Sequence, residues 1–233
     1  MDEKMICDGK QNIGRKQTEA VKAYPLEELV KTGGRVCEAL AAYLPGRKQG
    51  EFTVEDLANI PEERRVELID GVIFEMEAPY TIHQTIGLEL FVRLRAFIME
   101  KGAKCVPFAA PVDVQLDCDN KTMLQPDVMV ICDREKNNGK RIYGAPDFIA
   151  EVLSKSTRKK DLLIKTVKYE NAGVRECWII DPDKKQILVY DFEREEYPVI
   201  YGFDDEIPVR IFGGECKINF REIHAYLKDI YGI

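Results

Sequence analysis

PDFIAEVLSKSTRKKDLLIKTVKYENAGVRECWIIDP, residues 146–182, decides the fold. Its opening, PDFIAEVL, is a short apolar run interrupted by one acid, Glu151, which is the composition of a buried strand. TRKKDLLIKTVKYENAG then reads as a helix, with Thr157 as its cap and Gly173 as its terminator. CWIIDP is apolar again, and the alternating ILVYDF makes a further strand, with Asp181 to Lys185 as the turn between them. Strand, helix and strand in succession predict a mixed α/β domain.

Upstream, CVPFAAPVDVQL and LQPDVMVIC are two more strand candidates, separated by DCDNK, and the polar loop DREKNNGKR leads into the strand already described. From Thr81 to Lys101 the residues Ile82, Ile86, Leu90, Leu94 and Phe97 recur at helical spacing, with Gly102 as the stop. RVELIDGVIFEME alternates as a hairpin does, with Asp70-Gly71 as the turn dipeptide. Before it, Thr53 caps a short helix with Asp56 three residues on, Phe52 staples onto Leu57, and Pro61 ends it. Residues 1–50 read as an extension, in which PLEELVKTGGRVCEALAAYL has helical spacing broken at Gly33-Gly34. A last helix is expected over residues 219–231.

With 233 residues, 45% apolar and 32% charged, the chain is long enough for one substantial core and has ordinary globular composition. No stretch approaches the roughly 20 apolar residues of a membrane helix, and the polar start lacks an apolar signal core, so a cytoplasmic location is expected. Cys7, Cys37, Cys105, Cys118, Cys132, Cys177 and Cys216 form no C-x-x-C pair, which argues against zinc and redox motifs; they read as reduced thiols. A net charge of −7, from 34 Lys plus Arg against 41 Asp plus Glu, opposes non-specific binding to DNA. A local basic patch or bound divalent cations can override that sign.

The acids at the strand ends carry the chemistry. Asp127 follows Pro126 at the head of VMVIC, and Glu151 stands 24 residues later near the end of IAEVL. If those strands are neighbours, both carboxylates converge at one sheet edge. Two hard oxygen donors suit Mg²⁺, which keeps several waters and takes one or two protein carboxylates. Alone, Asp127 reads as a turn residue. Glu151 does not dissolve so easily: between Ile149, Ala150, Val152 and Leu153 an unpaired charge is costly, so it calls for a metal, a cation or a function.

At this point "QPDVMVI" and "EVLSKSTRKKDLLIKTVKYENAGVRECWIIDP", with "FTVEDLANIPEERRVELIDGVIFEM" and the His83 helix upstream, resemble the Uma-type "putative restriction endonuclease" family, a branch of the PD-(D/E)XK superfamily. The resemblance spans residues 51–222. It implies a restriction-endonuclease-like core over residues 51–233, a mixed central β-sheet flanked by helices with extra β-hairpins, preceded by an N-terminal helical extension. It also implies a Mg²⁺- or Mn²⁺-dependent nuclease acting on nucleic acid, DNA in the first instance, with Asp127 and Glu151 as metal ligands. Leu153 stands where the superfamily's E-x-K lysine would be, and Lys165 on the following helix matches the position that this branch uses instead.

Arg158, Asp161, Lys165 and Lys168 recur at spacings of three and four and share one helical face, so Asp161 can anchor Lys165; Leu163 and Val167 mark a different, apolar face. Glu67 and His83 face the site by resemblance: Glu67 as a further metal contact, His83 as a phosphate-binding or proton-transferring group, or simply as a cap near Tyr80 and Thr81. The basic run Lys155, Arg158, Lys159, Lys160 is either a phosphate-tracking patch or a solvated face. Trp178 and Tyr169 read as core residues and His224 as a surface one. Cutting both strands of a duplex would suit a two-fold homodimer. The competing reading is a catalytically silent, nuclease-like scaffold that binds nucleic acid or protein. Other hydrolase classes find no G-x-S-x-G elbow, no P-loop, and only His83 and His224 for a histidine site.

Overall fold

The computed structural model describes residue 44 and residues 46–61, 63–116, 119–155, 158–194 and 197–232. Strands β1 (Val66–Ile69) and β2 (Val72–Glu75) form the expected hairpin. Its turn residues Asp70 and Gly71 both have positive φ, 49° and 78°, as a two-residue turn of matching twist requires. Helix α1 (Thr81–Glu100) buries Ile86, Leu90, Leu94 and Ile98 on one face, and Gly102, at φ 60°, lies just past its end. The run 105–116 does not make one strand. It yields β3 (Val106–Ala109) and β4 (Val114–Gln115), with Pro111, which has no N–H to give a ladder, between them. Then come β5 (Met123–Leu124), β6 (Val128–Ile131), β7 (Ile142–Tyr143) and β8 (Phe148–Val152). A π-helical stretch, Lys160–Lys165, leads into α2 (Thr166–Ala172), which Gly173 ends at φ 95°. Thr157, the expected cap, lies outside the described residues. The chain closes with β9 (Glu176–Asp181), β10 (Gln186–Asp191), β11 (Val199–Gly202), β12 (Glu206–Val209), β13 (Cys216–Asn219) and α3 (Phe220–Tyr231), whose Asn219 side chain caps the Arg221 N–H.

These elements divide into two compact units. The first takes the described residues up to Glu77, with Asp113–Leu124 and Glu135–Ala145. It holds a five-stranded sheet in the order β2-β1-β5-β4-β7. Phe52, Val54, Ile60, Leu68 and Ile73 pack as its core with Leu44. The expected cap works in reverse: the Asp56 carboxylate accepts from the Thr53 N–H and hydroxyl, at the start of a single 3₁₀ turn, Asp56–Asn59. Apart from Leu44 and residues 46–50, the proposed N-terminal extension lies outside the described residues.

The second unit takes Ala78–Val112, Gln125–Arg134 and the described residues from Pro146 on. Its six-stranded sheet runs β11-β10-β9-β8-β6-β3, parallel only between β8 and β9, so it is mixed as expected. Side chains alternate along each strand. Val128, Val130, Phe148, Ala150, Val152, Trp178 and Ile180 therefore share one face, where they join Leu90 and Leu94 of α1 and Ile223 and Leu227 of α3 in the main core. The β12–β13 hairpin adds Ile207 and Ile218 to the same core. At the start of β9, Glu176 is fully buried, accepting from the Trp178 indole and from the N–H groups of Arg210 and Ile211; burial pushes its carboxyl up to about 7.

One expectation about the cysteines fails. Val106 pairs with Ile131, so Cys105 and Cys132 stand directly opposite one step beyond that ladder, and they are joined as a disulfide. Cys177 and Cys216 are free and buried, and Cys7, Cys37 and Cys118 lie outside the described residues. Among the described residues no helix is long and apolar enough to cross a membrane.

Candidate functional site

Because Ala150 and Val152 point into the main core, Glu151 points to the other face of β8. The π-helical stretch and α2 bring buried side chains to meet it. Its Oε1 accepts from Lys165 Nζ at 3.1 Å and from the Tyr169 hydroxyl. Lys165 Nζ also lies 3.5 Å from Asp161 Oδ1, the i, i+4 partner expected from the sequence. Glu151, Lys165 and Asp161 are each 3% exposed and Tyr169 is fully buried. The ionic groups thus meet where water is scarce, and the charges of the acids and the lysine offset one another.

Asp127 immediately precedes β6. Val128 pairs with Ala150, so one step further the antiparallel register sets Asp127 opposite Glu151. Its Oδ2 accepts from the Val152 N–H at 2.7 Å and lies 3.3 Å from His83 Nε2. His83 sits in the first turn of α1, where Tyr80 at the N-cap makes no side-chain cap bond; its imidazole is spent on Asp127, not on capping. Burial pulls the His83 pKa down. The bond to Asp127, that carboxylate's charge, a bond to the Val152 backbone and the charge of Asp161 together outweigh burial and hold it above the usual value.

The basic run divides. Lys155 and Lys159 are exposed, and Lys160 is buried. Arg158 is half-buried and binds both oxygens of Asp181 and, at 3.1 Å, Asp183, tying the start of the helix to the β9–β10 turn. Burial opposes ionisation of Asp181, but the Arg158 pairing prevails and holds its carboxyl below the ordinary range. Glu67 belongs to the first unit, buried on β1 opposite Phe74. Leu163 is half exposed, so the apolar face expected at that position does not pack fully. His224 is not on the surface: it is 6% exposed, and its Nδ1 lies 3.1 Å from Asp204 Oδ1. Two partnerships escaped the sequence. Tyr169 was legible only as a core residue, although its place four positions after Lys165 was a usable signal; the Arg158–Asp181 tie had no local signal at all.

Among the described residues no three His, Cys, Asp or Glu side chains are grouped to cage a metal ion. Asp127 and Glu151 offer two carboxylate donors, the kind and number that Mg²⁺ usually takes from a protein.

No curated protein matches the chain. A crystal structure described as that of a putative nuclease belonging to DUF820, from Anabaena variabilis ATCC 29413, is similar to it with a TM-score of 0.63 and 20% identity over 76% of this chain and 99% of that one. At that identity the likeness speaks for the fold, a mixed α/β arrangement like that of the neighbour and in keeping with the restriction-endonuclease-like core that the resemblance implied. A family model described as "Uma2: Putative restriction endonuclease" matches residues 52–219, which include Asp127, Glu151 and Lys165. The chain belongs to the Uma2 family.

Proposed function

We propose that the chain is a Mg²⁺-dependent endonuclease that hydrolyses DNA phosphodiester bonds, with Asp127 and Glu151 holding the ion and Lys165 beside them. The observation that carries this reading is the buried Glu151 carboxylate, opposite Asp127 by register, with the Lys165 ammonium 3.1 Å away. A bound Mg²⁺ supplies Lewis acidity toward a phosphodiester oxygen and lowers the pKa of its own water. The protein's part is to hold charge in place. Lys165, kept between Glu151 and Asp161, stabilises the negative charge that builds on the phosphoryl oxygens in the transition state. His83 steadies Asp127, and the upward shift of its pKa favours the protonated imidazole, which can give a proton to a leaving oxygen. Lys155 and Lys159 offer exposed positive charge to the phosphate backbone, locally against the acidic total. A two-fold dimer of such subunits would cut both strands.

The test is cleavage of supercoiled plasmid DNA in Mg²⁺ or Mn²⁺. Asp127→Asn and Glu151→Gln should each lower the rate at least about 100-fold. Amides are preferred to alanine, because they keep the side chain's size and a carbonyl acceptor; since losing one charge of a buried pair costs roughly 3 kcal/mol or more, folding is checked beside activity. Wild-type protein that cuts neither DNA nor RNA, and takes up no Mn²⁺ by calorimetry, would sink the reading. A silent scaffold finds support in one observation, that Lys165 already neutralises Glu151; it expects both variants to match wild type in every assay.

A further inference from the structure

We infer that Tyr169 is a positioning residue of this site, and that the π-helical stretch brings Asp161 into line with Lys165 and Tyr169. Asp161, Lys165 and Tyr169 follow one another at steps of four residues. In a continuous α-helix each such step overshoots a full turn by about 40°, so residues eight apart drift some 80° around the axis. That drift would move Asp161 toward the edge of the helix face that Tyr169 occupies. Here the first step runs through the π-helical stretch Lys160–Lys165, closed by the Thr166 N–H reaching back five residues to the Asp161 carbonyl. The Thr166 hydroxyl binds the same carbonyl at 2.9 Å. A wider turn rotates less per residue, so that step falls short where the α-helical step from Lys165 to Tyr169 overshoots. The two offsets oppose each other, which brings Asp161 back toward the line of Tyr169, with Lys165 between them.

The consequence is visible in the contacts. Lys165 Nζ and the Tyr169 hydroxyl both donate to Oε1 of Glu151, while Asp161 stands 3.5 Å from Lys165. A fully buried phenol needs a partner for its hydroxyl. By giving that bond to the same oxygen that Lys165 binds, it fixes how the carboxylate turns about its side chain. A second donor of this kind orients a ligand without touching the ion. The inference deepens the metal-dependent reading and, for its metal arm, rests on it.

Two measurements separate the inference from the reading beneath it. In metal-free protein, a double-mutant cycle over Tyr169→Phe and Glu151→Gln should give melting shifts that fail to add by about 3 °C or more. Additive shifts overturn the inference whether or not metal binds. If Glu151→Gln does not fold, wild-type NMR decides instead: a slowly exchanging hydroxyl proton, lost in Tyr169→Phe, is expected, and its absence overturns the inference. In calorimetry with Mn²⁺, Tyr169→Phe, which keeps the ring that fills the core, should bind about 10–100-fold more weakly than wild type. Equal affinity overturns the positioning role. Wild-type protein that binds no Mn²⁺ overturns the metal-dependent reading instead, and leaves the cycle to decide the contact.

Discussion

A single imidazole sets how the Asp127 side of the site responds to pH. His83 gains Asp127 as a partner on folding, and its pKa rises above 6.5. Stability from that pair is complete below pH 6.5 and is lost as pH rises through the folded value. His83→Gln should therefore flatten the dependence of melting temperature on pH in the window just above 6.5, with little change well above it. A wild-type and variant pair of curves that stay parallel from acid to alkaline pH would show that the imidazole never carries the charge assigned to it. Glu151 presents the contrasting case. Its neighbours in sequence announced a costly buried charge, and the cost is met by Lys165 and Tyr169. The lysine was legible because the family resemblance pointed to its position, and helical spacing gave its second partner, Asp161. The phenol was not, because a tyrosine in an apolar stretch is read by its ring and its hydroxyl goes unnoticed.

At the scale of elements, the turn between β1 and β2 makes the sharpest demand. Gly71 has φ 78°, and a Cβ built there would lie 2.4 Å from the Gly50 carbonyl oxygen, a backbone atom that cannot swing aside. The same turn anchors the chain around it: the Gly71 carbonyl accepts from the N–H groups of Gly50 and Phe52. Gly71→Ala should cost at least about 2 kcal/mol in denaturant melting. A loss below about 0.5 kcal/mol would mean that the turn relaxes freely. That hairpin was plain in the sequence because Asp70-Gly71 is a local signal. The break within 105–116 was harder to see, since an apolar run looks alike whether it feeds one sheet or two. Helix α1 was legible from spacing alone, and α2 was legible as a helix; the π-helical entry was not, because nothing in side-chain periodicity distinguishes a wide turn from an ordinary one.

For the whole molecule, one covalent tie constrains the unfolded chain. The Cys105–Cys132 bridge closes a 27-residue separation across the β3–β6 edge, which a chain-entropy account values at roughly 3–4 kcal/mol. Reduction with a mild thiol, or Cys132→Ser, should lower the melting temperature by several degrees without altering Mn²⁺ uptake; identical melting of oxidised and reduced protein would contradict it. Scattered cysteines hid this pairing because only the strand register brings the two together. The wide turn at Lys160–Lys165 has its own bearing on how this chain can change over time. Point replacements leave the number of backbone units untouched, whereas a deletion changes it. A one-codon loss inside that segment would swing everything before it by about 100° and carry Arg158 off Asp181. Inheritance of the site is thus written partly in a tally of peptide units, beside the identity of its side chains.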